Sequence, residues 1–268
     1  MNRNLWLGSV LVGFVVLVAL VSFAWTPHDP SKVDAAARLI GPSGDYWLGT
    51  DKFGRDVLSQ IMVGARTTLY VGVLAVGVAA IIGTPLGILA GMSKRWLGEF
   101  VMRVNDLVLA FPALLLAIMF GAVFGASTVT AMIAIGIATI PSFARIARSG
   151  TLQVMSTEYV LAARSGGRSR PFVARRHVLP NIAGLVIVQC SVSFAIAVLA
   201  EAALSFLGFG TRPPTPSWGR MLQESQELLT VQPRLALVPG VAIAVAVLGF
   251  NILGDGLRDR FDPRWERR

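Results

Sequence analysis

The chain has 268 residues, of which 54% are hydrophobic and only 15% charged, and its mean hydropathy is +0.65. So little polar side-chain surface excludes a soluble globule, and the long apolar runs exclude a disordered chain, which leaves an integral membrane protein. The net charge of +9 fits cytoplasmic loops rich in Lys and Arg, so no nucleic-acid partner is needed to explain it.

A helix crossing the hydrocarbon needs about 20 apolar residues, and charge-free windows mark the candidates. Residues 5–25 form the first. Its apolar run exceeds the roughly 7 to 15 residues of a secretory signal core, so it reads as a retained span. A loop over 26–66 follows, in which five bases balance five acids. Residues 67–93 form the second span. Residues 107–144 carry no charge over 38 positions, and the turn signal Gly125-Ala126-Ser127-Thr128 divides them into a third and a fourth. Residues 182–209 make the fifth span and 235–254 the sixth. Gly254-Asp255-Gly256 reads as a helix terminator and Pro112 as a kink.

Orientation follows from Lys and Arg in alternating connections. Sixteen of the 24 lie at the N-terminus (Arg3), in the second-to-third and fourth-to-fifth loops, and at the C-terminus, where Arg258, Arg260, Arg264, Arg267 and Arg268 cluster. Both termini are therefore expected in the cytoplasm. The expected fold class is an all-α integral membrane protein with six transmembrane helices.

The chemistry of an enzyme is missing from the sequence. None of Lys32, Lys52 and Lys94 stands in a phosphate-cradling Gly-rich motif. His28 and His177 lack a Cys or His at metal-ligand spacing. No Gly-x-Ser-x-Gly elbow occurs. Cys190 is the sole cysteine and cannot form an internal disulfide; it reads as a small buried side chain. The one acid inside an apolar span is Glu201, about 28 Å along a fifth helix that starts near 182. Two readings apply to it: an interfacial or bundle-facing carboxylate held by a neighbouring donor, or a group lining the solute path.

The longest cytoplasmic connection, 148–181, carries the densest signal. Ser156 or Thr157 can cap a short helix, and Glu158 in its first turn favours the positive helix end. Ala162 and Ala163 are small enough to let another surface approach closely, ahead of Arg164. Gly166-Gly167 can end the helix in the left-handed conformation, Pro171 can start the next, and Pro180 marks the boundary with the fifth span. Arg168, Arg170, Arg175 and Arg176 could also draw this segment to anionic lipid headgroups.

Ala162-Ala163, Gly167 four residues after Ala163, and Leu179-Pro180 resemble the EAA loop of permease subunits in bacterial ABC importers, the element that docks into a cleft on the ATPase subunit. The acid of that motif would fall at Leu161, where this sequence departs from the pattern. The resemblance extends along the chain. Leu48-Gly49-Thr50-Asp51-Lys52-Phe53-Gly54-Arg55-Asp56, Gly64-Ala65-Arg66-Thr67, Asp106 to Pro112, Glu201 to Gly208, Pro213 to Gly219, Asn251 to Asp259 and Asp262-Pro263-Arg264 are similar to the C-type permease of the dipeptide, oligopeptide and nickel group.

That resemblance implies a type I ABC importer permease fold in the bacterial inner membrane. It divides the chain into an N-terminal helix with its external loop (1–66) and a transmembrane domain (67–268) bearing the coupling loop. It implies a homologous B-type permease as heterodimer partner, two ATPase subunits that hold ATP and Mg, and an external solute-binding protein. The chain itself would bind no cofactor. The implied cargo is a dipeptide or oligopeptide, with nickel chelates, glutathione or another small solute as alternatives. Glu158, Ala162, Ala163, Arg164, Gly167, Leu179 and Pro180 would form the coupling surface. A secondary transporter or a non-transporting scaffold subunit are the rival classes, and paired intramembrane charges or the lack of a co-purifying ATPase would favour them.

Overall fold

A computed structural model describes residues 3–125 and 127–261. Ala126 of the expected turn, the Asp262-Pro263-Arg264 segment, and Arg267 and Arg268 lie outside the described residues. Regular structure among the described residues is helical, apart from one isolated bridge between Thr50 and Asp56. The helices are α1 (Arg3–Ala24), α2 (Val57–Met92), α3 (Arg95–Leu109), α4 (Ala113–Phe124), α5 (Thr128–Met155), α6 (Glu158–Ser165), α7 (Arg170–Val173), α8 (Leu179–Phe206), α9 (Trp218–Ser225) and α10 (Arg234–Phe261). Helices α1, α2, α5 and α10 and the continuous run Arg170–Phe206 are long and apolar enough to cross a membrane, and α3 with α4 supplies a sixth crossing as a pair bent by 78°.

The third span therefore differs from a helix beginning near 107. It starts at Arg95 and breaks at 110–112. The amides of Ala110 and Phe111 close α3 onto Asp106 and Val108, and Pro112, which has no amide to donate, stands at the N-cap of α4. Charge-free windows also underestimated two other spans. Helix α2 begins at Val57 because Asp56 caps it, accepting from the Ser59 amide at 2.8 Å. Helix α5 continues past Ala144 through Arg145 and Arg148 to Met155.

Small residues set the packing. Gly83, Gly87 and Gly91 recur every fourth residue on α2 and lie against Ile140 to Thr151 of α5, and a Cβ on Gly87 would collide with the Ala144 carbonyl and the Ala147 side chain. Such stripes let helix backbones approach closely, and van der Waals contact is the main attraction left where lipid removes the hydrophobic drive between helices. Because Gly83 meets Phe143 and Gly91 meets Thr151, α2 and α5 run parallel. Helices α1 and α10 are antiparallel: Gly8 abuts the Leu253 backbone and Gly256 abuts Leu5. Gly254 and Gly256 thus do not terminate the last helix, which runs on to Phe261; Gly256 serves close approach instead.

Candidate functional site

The short segment 156–178 lies at one end of the bundle. Helix α6 follows α5 after a tight turn. Thr157 occupies its N-cap position, but its hydroxyl donates to the Val154 carbonyl at 2.6 Å and makes no cap bond to α6, so the expected side-chain cap is replaced by a clamp onto α5. At the other end the amides of Gly166 and Arg168 donate to the carbonyls of Ala162 and Ala163, at 2.9 and 3.1 Å, and Gly167 has φ +78°. A side chain at that φ would be strained, so the reversal after α6 rests on this glycine.

One side chain pins α6 to the bundle. Val160 is fully buried in a cluster with Ala147 and Val154 of α5, Val173, Val178 and Ile182. Around it, Glu158, Ala162, Arg164 and Gly167 are exposed and Ala163 is half-buried. Tyr159 and Leu161 are about half exposed, at 47% and 48%; the Tyr159 ring lies against His177 of the segment that follows, with centroids 5.8 Å apart. Nothing in the amino-acid order marks Val160 as the anchor; only the i, i+3 relation to Ala163 and the identity of its neighbours in space reveal it.

Pro180 does not bound the fifth span. Helix α7, a π-helical turn over Ala174–Val178 and α8 form one continuous run. The missing proline amide deprives a carbonyl one turn earlier of its donor, and the wide turn accommodates the ring, while the Asn181 side chain donates to the His177 carbonyl at 2.6 Å. Leu179 and Pro180 are exposed. The chain direction set after Gly167 is thereby carried without a joint into α8.

Glu201 lies near the opposite end of α8, fully buried. It accepts from the hydroxyls of Ser205 at 2.6 Å and Thr211 at 3.3 Å, and the Thr211 amide donates to Ser205 at 3.0 Å. The carboxylate thus ties the end of α8 to the chain that doubles back toward α9. Gly219 of α9 packs against the Ala202 backbone, closing that hairpin.

Above Glu201 the 25–56 loop and α9 build a polar cap. Arg234 at the start of α10 donates to the carbonyls of Leu48 and Ile40, each at 2.7 Å, and of Thr50 at 3.2 Å. Arg55 pairs with Asp51 at 2.6 Å and also with Glu224, which accepts from Arg220 at 2.7 Å. The Trp218 indole donates to the Ile61 carbonyl at 3.0 Å. The sequence fragments Gly49 to Asp56 and Pro213 to Gly219 are brought together here.

A bundle of five long apolar helices and one bent pair, with a short helix laid across one end and running into a transmembrane rod, is the architecture of a multi-pass membrane protein. Residues 83–267 match the family described as the binding-protein-dependent transport system inner membrane component. The chain belongs to that family, and it is a multi-pass permease of the inner membrane. It is 40% identical over 263 residues to a dipeptide transport system permease protein of Alkalihalophilus pseudofirmus, covering 98% of this chain and 86% of that one. Glutathione transport system permease proteins of Pectobacterium atrosepticum and Salmonella typhimurium are 39% and 42% identical, over 96% and 98% of this chain and 87% and 88% of theirs. Among solved structures, the inward-facing MetNI methionine ABC transporter shares the fold, with TM-scores of 0.64 and 0.59 in two crystal forms. The identities are 16% and 15%, over 76% and 74% of this chain and 96% of that one.

Proposed function

We propose that this chain forms half of the translocation pathway of an ATP-driven importer of dipeptides or oligopeptides, paired with a homologous permease. A charge-poor bundle has no energy source, so its alternation must be biased by partners that bind its states differently. Two cytoplasmic ATPase subunits carrying ATP and Mg would supply that bias, an external binding protein would deliver the solute, and the chain itself would catalyse nothing. Both termini and α6 would then lie in the cytoplasm and the polar cap outside.

The observation that carries this reading is α6. It is held to the bundle by Val160 alone among its buried side chains, offers Tyr159, Leu161 and Ala162 outward, and is followed by a rod that continues into α8. Ala162 and Ala163 would sit in the ATPase cleft, flanked by Glu158 and Arg164, and Gly167 would hold the reversal that lets Leu179 and Pro180 transmit the movement. Peptide cargo is supported by the relatives named for dipeptides and glutathione, the latter itself a small peptide, which remains the second reading.

The test is uptake of labelled dipeptide, oligopeptide and glutathione by cells lacking and regaining this chain, together with stimulation of ATPase activity by the binding protein in the reconstituted complex. Peptide uptake restored with stimulated hydrolysis is the expected result. Restoration of nickel-chelate uptake alone would replace the cargo; hydrolysis indifferent to this chain would overturn the coupling role.

A further inference from the structure

Two surface grooves of about 400 Å³ lie on the flanks of the bundle. The first, between α1, α2 and α10, is lined by apolar side chains alone, as expected of a surface that meets any acyl chain. The second differs. It runs between the end of α2 and the start of the α7–α8 rod; Ile88, Leu89 and Met92 of α2 and Leu179 of α8 form its apolar floor, and Arg170 and Arg175 line the same groove.

Both arginines are exposed, and neither guanidinium takes part in an ion pair or hydrogen bond with another described residue. Nearby, Arg95 is matched by Glu99 and Arg145 by Asp106. The exposed face of α2 stays apolar through Ile81, Ile82 and Leu89 and gives way to Lys94 and Arg95 just past Met92, so the arginines sit where hydrocarbon gives way to headgroups. A soluble acidic surface could answer the charges but not the hydrocarbon floor leading up from them.

We propose that this groove is a binding site for an anionic phospholipid of the adjoining leaflet, with its phosphate on Arg170 and Arg175 and an acyl chain along Ile88, Leu89, Met92 and Leu179. Basic pockets between transmembrane helices recognise lipid headgroups in this way, each Lys or Arg near the surface contributing about a five-fold preference for negative charge. The bound lipid bridges the end of α2 and the segment that follows α6, outside the packing of Ile88 and Met92 against the buried cluster around Val160. The site depends on the membrane topology and not on the identity of the cargo.

The experiment is a titration of the purified, delipidated complex with phosphatidylglycerol or phosphatidylcholine, counting bound lipid by native mass spectrometry. The intact complex is expected to hold phosphatidylglycerol preferentially. Arg170→Gln or Arg175→Gln lowers its affinity about 5-fold and the double substitution about 30-fold, while Arg170→Lys with Arg175→Lys keeps most of it. Met92→Trp, which fills the floor, weakens both lipids. Equal binding of the two lipids by the unsubstituted complex overturns the proposal whether or not any variant assembles. So does unchanged phosphatidylglycerol binding by the double variant accompanied by loss of the ATPase subunits, which would assign the arginines to a protein contact.

Discussion

At the end of the bundle that carries the 25–56 loop, Arg234 alone donates to three backbone carbonyls, Arg55 and Arg220 share Glu224, and Trp218 is bonded to α2. At the end that carries α6, one buried valine and a few turn bonds hold the short helix, while Tyr159, Leu161 and four arginines from 164 to 175 face outward. The polar cap pairs its half-buried arginines Arg55, Arg220 and Arg234 within itself; the opposite end leaves both apolar and charged surface open. A surface complete in itself suits a lid over a pathway, and an incomplete one suits an element that finishes folding against something else.

The contrast can be broken by substitutions at the two ends, taken in order of the expected loss of stability. Arg234→Ala removes a guanidinium that serves two part-buried carbonyls and an exposed one and should lower stability by about 2 kcal/mol, read as a drop in the melting temperature of the solubilised complex. Glu224→Ala leaves Arg55 and Arg220 facing each other at a half-buried site, for about 2 kcal/mol, and the loss should shrink when Arg55 is also replaced by Gln. If neither change lowers the melting temperature, the cap is not the self-sufficient unit described.

At the other end, Val160→Ala should cost about 1 to 2 kcal/mol as a buried cavity. Its effect should be confined to faster amide exchange over 156–178, with exchange at Glu201 and α9 unchanged. Ala163→Arg, at a half-buried position, should shift the melting temperature little, by about 0.5 to 1 kcal/mol; Gly167→Pro cannot keep φ +78° and loses the amide bond to the Arg164 carbonyl, so its damage should be larger but confined to the reversal after α6. Both should nonetheless abolish binding-protein-stimulated hydrolysis and transport. Normal coupling in a correctly assembled Ala163→Arg complex would remove α6 from the mechanism and leave the two ends different only in stability.

Several errors in reading the spans share one cause. A charge-free window assumes that charges end helices, yet α2 starts ahead of Arg66 and α5 runs through Arg145 and Arg148. Helix ends here follow caps and the backbone geometry of 110–112, and Asp56 could have been recognised beforehand as a cap three residues ahead of Ser59. Gly83, Gly87 and Gly91 were equally visible as a four-residue repeat. What they pack against was not, because a glycine stripe is silent about which helix uses it. The helix end at Gly167 was legible because a positive φ is a single-residue constraint, whereas the coupling role of Ala162 and Ala163 is an expectation carried by the resemblance. Val160, by contrast, owes its role to α5 and the π-helical turn, which are distant in the amino-acid order or irregular in geometry.

By itself the amino-acid order determined that this chain lies in a membrane, that it crosses six times, and that a short helix ended by Gly167 separates the fourth crossing from the fifth. Those features depend on hydrocarbon thickness, backbone hydrogen bonding in lipid and single-residue conformational limits, all of which act within a single continuous segment of chain. Tertiary structure alone decided that the third crossing is bent in two, that Glu201 is tied to Ser205 and Thr211, and that Arg170 and Arg175 flank a groove floored by α2. Each of these depends on which surfaces meet, and close packing between elements far apart in the chain settles that only when the whole bundle has formed.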